Sequence, residues 1–182
     1  MEYIDIIDNK TGNKTGEQKS HLEVHTKGLW HRTVHVWCVN SKGEILLQRR
    51  AINKKNFPDM WDISVAGHIS ANEDAIEAAL RETKEEIGLD ILKSDSKFIR
   101  TVTQQFILNN GTYLDNEFQD IYIIKIDVDI DKLNLQKEEL KALRWIKTTE
   151  FKKWVEKKRP DLVPHPEEYK IILEYINKNY SF

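Results

Sequence analysis

The chain has a single cysteine, Cys38, in 182 residues. An internal disulfide framework and a cysteine-rich zinc site are therefore excluded, and a reducing compartment fits. It has no run of about 18 apolar residues, so nothing in it reads as a membrane span. Its first ten residues, MEYIDIIDNK, are acidic and lack the basic-then-apolar pattern of a secretory signal. The expectation is a cytoplasmic protein. It also lacks a charge excess: 28 Lys and Arg against 30 Asp and Glu leave a net charge of −2. That gives no reason to expect nucleic acid or an anionic membrane as partner. No repeat, low-complexity tract or linker interrupts the chain. With 40% hydrophobic and 32% charged residues it reads as one globular domain over 1–182.

Local patterns predict the elements. Tyr3–Ile7 is a short apolar run ended by DNKTGNKTG, which reads as turn chemistry. Residues 33–40 and 44–48 flank Ser41-Lys42-Gly43 and read as a hairpin over 33–49. Lys54–Asp59 is a polar loop with Pro58, and Trp61–Ala66 is a short strand running into Gly67. Residues 98–108 and 119–130 are β-rich, with Asn109-Asn110-Gly111 turning between them, and 142–146 is a last strand. Helical spacing marks 148–157 and 167–177. The Pro160–Pro166 stretch is the joint before an appended C-terminal helix at 160–182, and residues 1–30 form an N-terminal β extension. The mixed order implies an α/β (α+β) layered domain with helices packed on a sheet.

What is abundant is acid in one place. Residues 67–89, GHISANEDAIEAALRETKEEIGL, hold five glutamates and open and close near glycine. The pattern predicts a helix over 74–87, with Asp74 as N-cap, Glu77 completing a capping box and Gly88 as C-cap. Residues three and four apart share a helix face, so Glu82, Glu85 and Glu86 project together. Ile76, Leu80, Thr83 and Ile87 form another stripe that can dock on a sheet. Ala75, Ala78 and Ala79 continue the carboxylate side and would leave room for a ligand. Like charges at this spacing cost a few tenths of a kcal/mol per pair. A solvated acidic face tolerates that; the alternative is a hard divalent cation that neutralises them, held by carboxylates together with substrate phosphates.

The spacing Gly67-x5-Glu73-x7-Arg81-Glu82-x2-Glu85-Glu86-x-Gly88-Leu89 resembles the signature of the Nudix hydrolases at every fixed position. A chance match at seven such positions is expected on the order of once in 10⁹ registers. Thr83 departs from the family's usual aliphatic residue, a mild stability cost. The resemblance implies a Nudix fold, a mixed β-sheet sandwiched between helices with a catalytic loop–helix–loop that binds Mg²⁺ or Mn²⁺. It implies Glu82, Glu85 and Glu86 as metal ligands, with the Gly67 carbonyl as a further one. Arg81 and Glu73 would be orienting residues paired with each other. The reaction implied is hydrolysis of a nucleoside diphosphate linked to another moiety, a small-molecule diphosphate substrate.

A second resemblance covers about residues 25–125. His31, Gln48-Arg49-Arg50-Ala51, Lys54-Lys55, Phe57-Pro58-x2-Trp61, Gly67-His68 and Asp115-Asn116-Glu117 are similar to the Nudix branch containing type I isopentenyl-diphosphate isomerases. It implies that Arg50 and Lys54 grip the diphosphate. It also implies that His31, His68, Asp115 and Glu117 bind a metal and assist proton transfer. His25 lies near the remaining histidine's position with a slip of one residue. The isomerases require a cysteine before the Gly-His pair; here that position is Ala66, whereas the hydrolase signature is intact. Hydrolysis is therefore the leading expectation. The alternatives are an isomerase acting on isopentenyl diphosphate and a non-catalytic module that binds a diphosphate. Trp30, Trp61, Phe106 and Tyr113 are candidates for stacking on a base or prenyl chain. The N-terminal 30 residues and the C-terminal helix could cover the pocket or form a homodimer contact.

Overall fold

A computed structural model describes residues 2–180. Its frame is a seven-stranded mixed sheet. The central strand β3 (Trp30–Val39) runs parallel to β8 (Tyr113–Lys125), from Trp30 opposite Asn116 to Val39 opposite Lys125. Strand β8 pairs antiparallel with the outer strand β7 (Ser96–Leu108). On the other side lie β4 (Glu44–Arg50), β5 (Trp61–Asp62), β6 (Val65–His68) and β9 (Leu140–Lys147).

Side chains on β3 alternate between two cores, as a strand's period of two requires. Val34, Val36 and Cys38 pack with Ala78, Ala79 and Ile87 of helix α2 (Ala75–Ile87). Trp37 and Val39 pack with Phe151, Trp154, Tyr169 and Ile172 of helices α3 (Thr148–Glu156) and α4 (Pro166–Asn179). The sheet is thus sandwiched between helices, the layered α+β arrangement that the sequence implied.

The 33–49 hairpin does not hold as expected. Its two strands exist, but they share only the pair Val39 with Ile45. Below the turn they splay, and the segment 61–68 crosses between them. Its first half pairs with β4 as β5 and its second with β3 as β6, so Trp61–Ala66 is two strands and not one. Ser64 bridges the gap: its hydroxyl accepts from the Cys38 amide (2.9 Å) and donates to the Leu46 carbonyl (2.6 Å).

The N-terminal segment is also richer than its turn chemistry suggested. Tyr3–Ile7 is β1, and part of the Gly/Asn-rich stretch forms β2 (Lys14–Ser20), its antiparallel partner. A short helix α1 (His21–Lys27) follows, which the sequence reading missed. Its signals were present: Ser20 caps it by accepting from the Glu23 amide, and Gly28 ends it at φ 62°.

Candidate active site

Helix α2 and the strand before it hold the acidic side chains. The helix ends on Gly88 at φ 69°, the left-handed region that glycine adopts without strain. The expected capping box does not form, because Asp74 makes no side-chain cap bond. Glu73, not Glu77, serves the entry to the helix: its carboxylate accepts from the Ser70 amide at 3.0 Å. Ala78 and Ala79 do not make room for a ligand; both are fully buried in the core against the sheet. The reason is that the helix is seated closely on β6 and β3, where only small side chains fit. Thr83 is also fully buried, and its hydroxyl donates to the Ala79 carbonyl at 2.7 Å, which removes the cost of hiding it.

Arg81 organises this face. Two of its nitrogens donate to both oxygens of Glu73 at 2.8 Å, and Nη2 also donates to the His68 carbonyl at 3.0 Å. Nη1 reaches Glu82 (2.7 Å) and Glu85 (3.3 Å). The Arg81–Glu73 pairing expected from the resemblance is present in this geometry. Burial pushes the Glu82 carboxyl up to about 7 despite Arg81. Burial, with Glu82 beside it, holds Glu86 well above the usual carboxylate range. Glu85 stays at the rim with half of its side chain exposed.

Gly67 is where β6 touches this cluster. A Cβ built on it would lie 2.1 Å from Glu82 Cδ, so only glycine lets the backbone approach the carboxylate. Two buried carboxylates beside a backbone with no side chain are a donor set of oxygens suited to a hard divalent cation.

The same cleft, about 900 Å³, holds the other expected residues. Arg50 and Lys54 line it, with Arg50 donating to Asp62 (3.1 Å) and Lys54 bonded to Glu139. Phe106 and Tyr113 line it as well. Trp30 and Trp61 are not among its lining residues: Trp30 packs against Phe118, and Trp61 packs against Trp154 and Arg49. Both tryptophans are used by the fold.

At one end stands a histidine cluster. His25 Nδ1 lies 3.3 Å from Asp115 Oδ1, and His31 Nε2 lies 3.7 Å from the same oxygen and 3.8 Å from Glu117 Oε1. His68 Nε2 is 3.2 Å from His25 Nε2. The His25 Nδ1, His31 Nε2 and Asp115 Oδ1 atoms are buried without a hydrogen-bond partner among the described residues. Buried polar atoms are seldom left so. Three of them converging on one point fit a cation held by imidazole and carboxylate. Burial lowers His31 to about 4, which keeps its ring neutral and able to act as a ligand. Burial, then Asp115, raises Glu117 to about 8. Helix α1 places His25 here, resolving the one-residue slip in the sequence register.

The raised carboxyls make a prediction for the cation-free protein. Glu82 keeps its proton in the folded chain up to about pH 7, and burial with Glu82 beside it likewise holds Glu86 well above the usual carboxylate range, whereas the unfolded chain releases both protons within that range. Between those values the native state binds more protons, so their contribution makes stability fall as pH rises, and above them the loss is complete. Melting curves in chelator from pH 4.5 to 8 should show a shallower decline for Glu82→Gln/Glu86→Gln than for wild type. Superimposable slopes would refute this.

Comparison with known proteins places the chain among relatives. The NUDIX domain family model matches residues 29–165. "Nudix hydrolase 3" of Arabidopsis thaliana is 38% identical over 167 residues, which is 90% of this chain and 22% of that much longer protein. An uncharacterised Nudix hydrolase of Clostridium acetobutylicum is 35% identical over 160 residues, covering 86% of this chain and 75% of its own. An isopentenyl-diphosphate Delta-isomerase of Serratia proteamaculans matches at 31% over 123 residues, 68% of this chain and 66% of its own. Among solved structures, the Deinococcus radiodurans protein DR0079 superposes with a TM-score of 0.66 at 18% identity, over 96% of this chain and 98% of its own. That likeness speaks to the fold.

Proposed function

The chain belongs to the NUDIX domain family, and from that premise we propose that it hydrolyses the diphosphate linkage of a nucleoside diphosphate-X or related organic diphosphate with Mg²⁺ or Mn²⁺ as cofactor. The observation that carries the reading is the shared cleft: Gly67, Glu82, Glu85 and Glu86 on one wall, Arg50 and Lys54 on another. A bound divalent cation would supply charge neutralisation for the phosphates and a lower pKa for an attacking water. Glu82, Glu85, Glu86 and the Gly67 carbonyl would hold it, and Arg81 with Glu73 keeps Glu82 in place. Arg50 and Lys54 bind the diphosphate. His31, His68, Asp115 and Glu117, with His25, offer a second set of ligands. In the overall reaction a water oxygen bonds to phosphorus, the bridging P–O bond breaks, and the bridging oxygen leaves with the departing phosphate.

Isomerisation is the alternative, and Ala66 speaks against it. An alanine carries no ionisable atom beside the substrate carbon, and proton transfer there needs one. The test is to incubate the protein with Mg²⁺ and a panel of organic diphosphates, scoring phosphate or monophosphate release. A parallel incubation with isopentenyl diphosphate in deuterated water looks for dimethylallyl diphosphate. Metal-dependent release with no dimethylallyl product is expected; carbon-bound deuterium without release would overturn the reading.

Arg50→Ala should raise KM by roughly 10-fold or more and leave kcat within about 3-fold, because its grip acts on ground and transition states alike. Lys54→Ala should act in the same direction but more weakly, since an ammonium is a point charge and not a fork. Steady-state kinetics decide it, and an unchanged KM in both variants would move the phosphates elsewhere.

A further inference from the structure

Deep in the cleft is a buried pair outside the residues used so far. His35, on β3, is only 4% exposed and lines the cleft floor. Its Nδ1 is 2.8 Å from Oε2 of Glu168, which α4 sends in from the opposite layer. The other Glu168 oxygen accepts from Trp37 Nε1 at 2.7 Å. Both oxygens of that carboxylate are therefore occupied. The neighbouring His165 is occupied as well, with Nδ1 on Gln104 (2.7 Å) and Nε2 on Asp62 (3.1 Å). Such saturated bonding reads as a hydrogen-bond network and not as a vacant cation site.

One valence is left over. Among the described residues the ring's hydrogen bond is made through Nδ1, to Glu168, which leaves Nε2 as the nitrogen available to the cleft that His35 lines. Burial alone would lower the ring's pKa, but the Glu168 carboxylate beside it reverses this and raises it to about 9. At neutral pH the floor therefore presents a fixed N–H donor carrying positive charge. Two residues along the same face, the Thr33 hydroxyl also lines the cleft and is buried without a partner. Directly across the strand pair from His35 is Ala66, the position where the isomerases carry their thiol.

We infer that His35, held by Glu168 and Trp37, is a specificity-determining donor that selects diphosphates whose organic substituent carries an oxygen acceptor over those whose substituent is hydrocarbon. The inference rests on the hydrolase reading and names the class of substituent within it. An oxygen placed at Nε2 completes the imidazolium's bonding. A hydrocarbon placed there strips water from a charged donor and returns nothing. Sites built to bond a polar substituent reject analogues lacking it by large factors. Glu168 acts through His35 as a positioning residue.

The test uses two five-carbon diphosphate esters, ribose 5-diphosphate and isopentenyl diphosphate, with ADP-ribose as a third probe. Wild type, His35→Leu and the double variant His35→Leu/Glu168→Met are compared by kcat/KM with Mg²⁺. The double variant removes both members of the pair, so no unpaired charge stays buried. Wild type should favour the oxygen-bearing compounds by at least ~10-fold, and both variants should shrink that ratio at least ~10-fold, through loss on the oxygen-bearing compounds and no loss toward isopentenyl diphosphate. A wild-type preference for the hydrocarbon ester, or a ratio unmoved by both variants, overturns the inference while leaving hydrolysis intact. If wild type cleaves none of the three, the hydrolase reading fails on these substrates and calorimetric titration with the same compounds judges His35 alone. Selective loss of affinity for the oxygen-bearing ligands in the variants then supports it, and equal loss, or no binding by wild type, overturns it.

Discussion

Gly67→Ala is expected to lower kcat by at least ~100-fold while leaving the melting temperature nearly unchanged, a loss of about 2.7 kcal/mol of transition-state stabilisation. The added methyl would stand 2.1 Å from Glu82 Cδ and 2.4 Å from its Cγ and Oε1. These atoms belong to a flexible side chain, so the clash is relieved by moving the carboxylate and not by unfolding the strand. Once moved, Glu82 leaves both the Gly67 backbone and its 2.7 Å bond to Arg81. A constellation displaced by about 1 Å can lose ~100-fold in rate. Steady-state kinetics beside a thermal melt check this. Full activity with an intact fold would mean that the proximity of Gly67 and Glu82 has no part in the chemistry.

Glu86→Gln is expected to reduce kcat by at least ~100-fold at saturating Mg²⁺, as does loss of a principal electrostatic group in other hydrolytic sites. The substitution preserves shape, and Gln48 Nε2, 3.5 Å from Glu86 Oε2, remains beside it. What it removes is charge in a pocket where Glu86 is only 5% exposed. In chelator near neutral pH the variant should melt no lower than wild type, because an amide is neutral in both folded and unfolded chains, whereas the buried Glu86 carboxyl must take up a proton to stay neutral and thereby loses stability. Loss of activity with retained or raised stability separates a functional carboxylate from a structural one. Glu85→Gln, at the exposed rim, should also lose activity but by a smaller factor. Near-normal turnover of Glu86→Gln would remove it from the ligand set.

Most of the acidic site was readable along the chain because a helix is a local object. Its period of 3.6 converts the spacing of Glu82, Glu85 and Glu86 directly into a shared face, and the Arg81–Glu73 pair is eight residues apart within one loop–helix unit. The strands were readable for the same reason, since alternation and turn residues act over a few positions. Partners across the sheet were not. The splaying of β3 from β4 depends on Ser64 and on β6, residues some twenty positions away, and no turn signal reports them. Ala78 and Ala79 look like vacant space in a helical projection and become core only when the sheet is laid against them. His25 looked out of register because α1 is held by packing and caps, not by periodicity. His35 and Glu168 are 133 residues apart, and nothing local couples an imidazole on the central strand to a carboxylate on the last helix. Periodicity and motif spacing thus carried the local elements and the family likeness. Which buried charges meet depended on how distant layers close on one another.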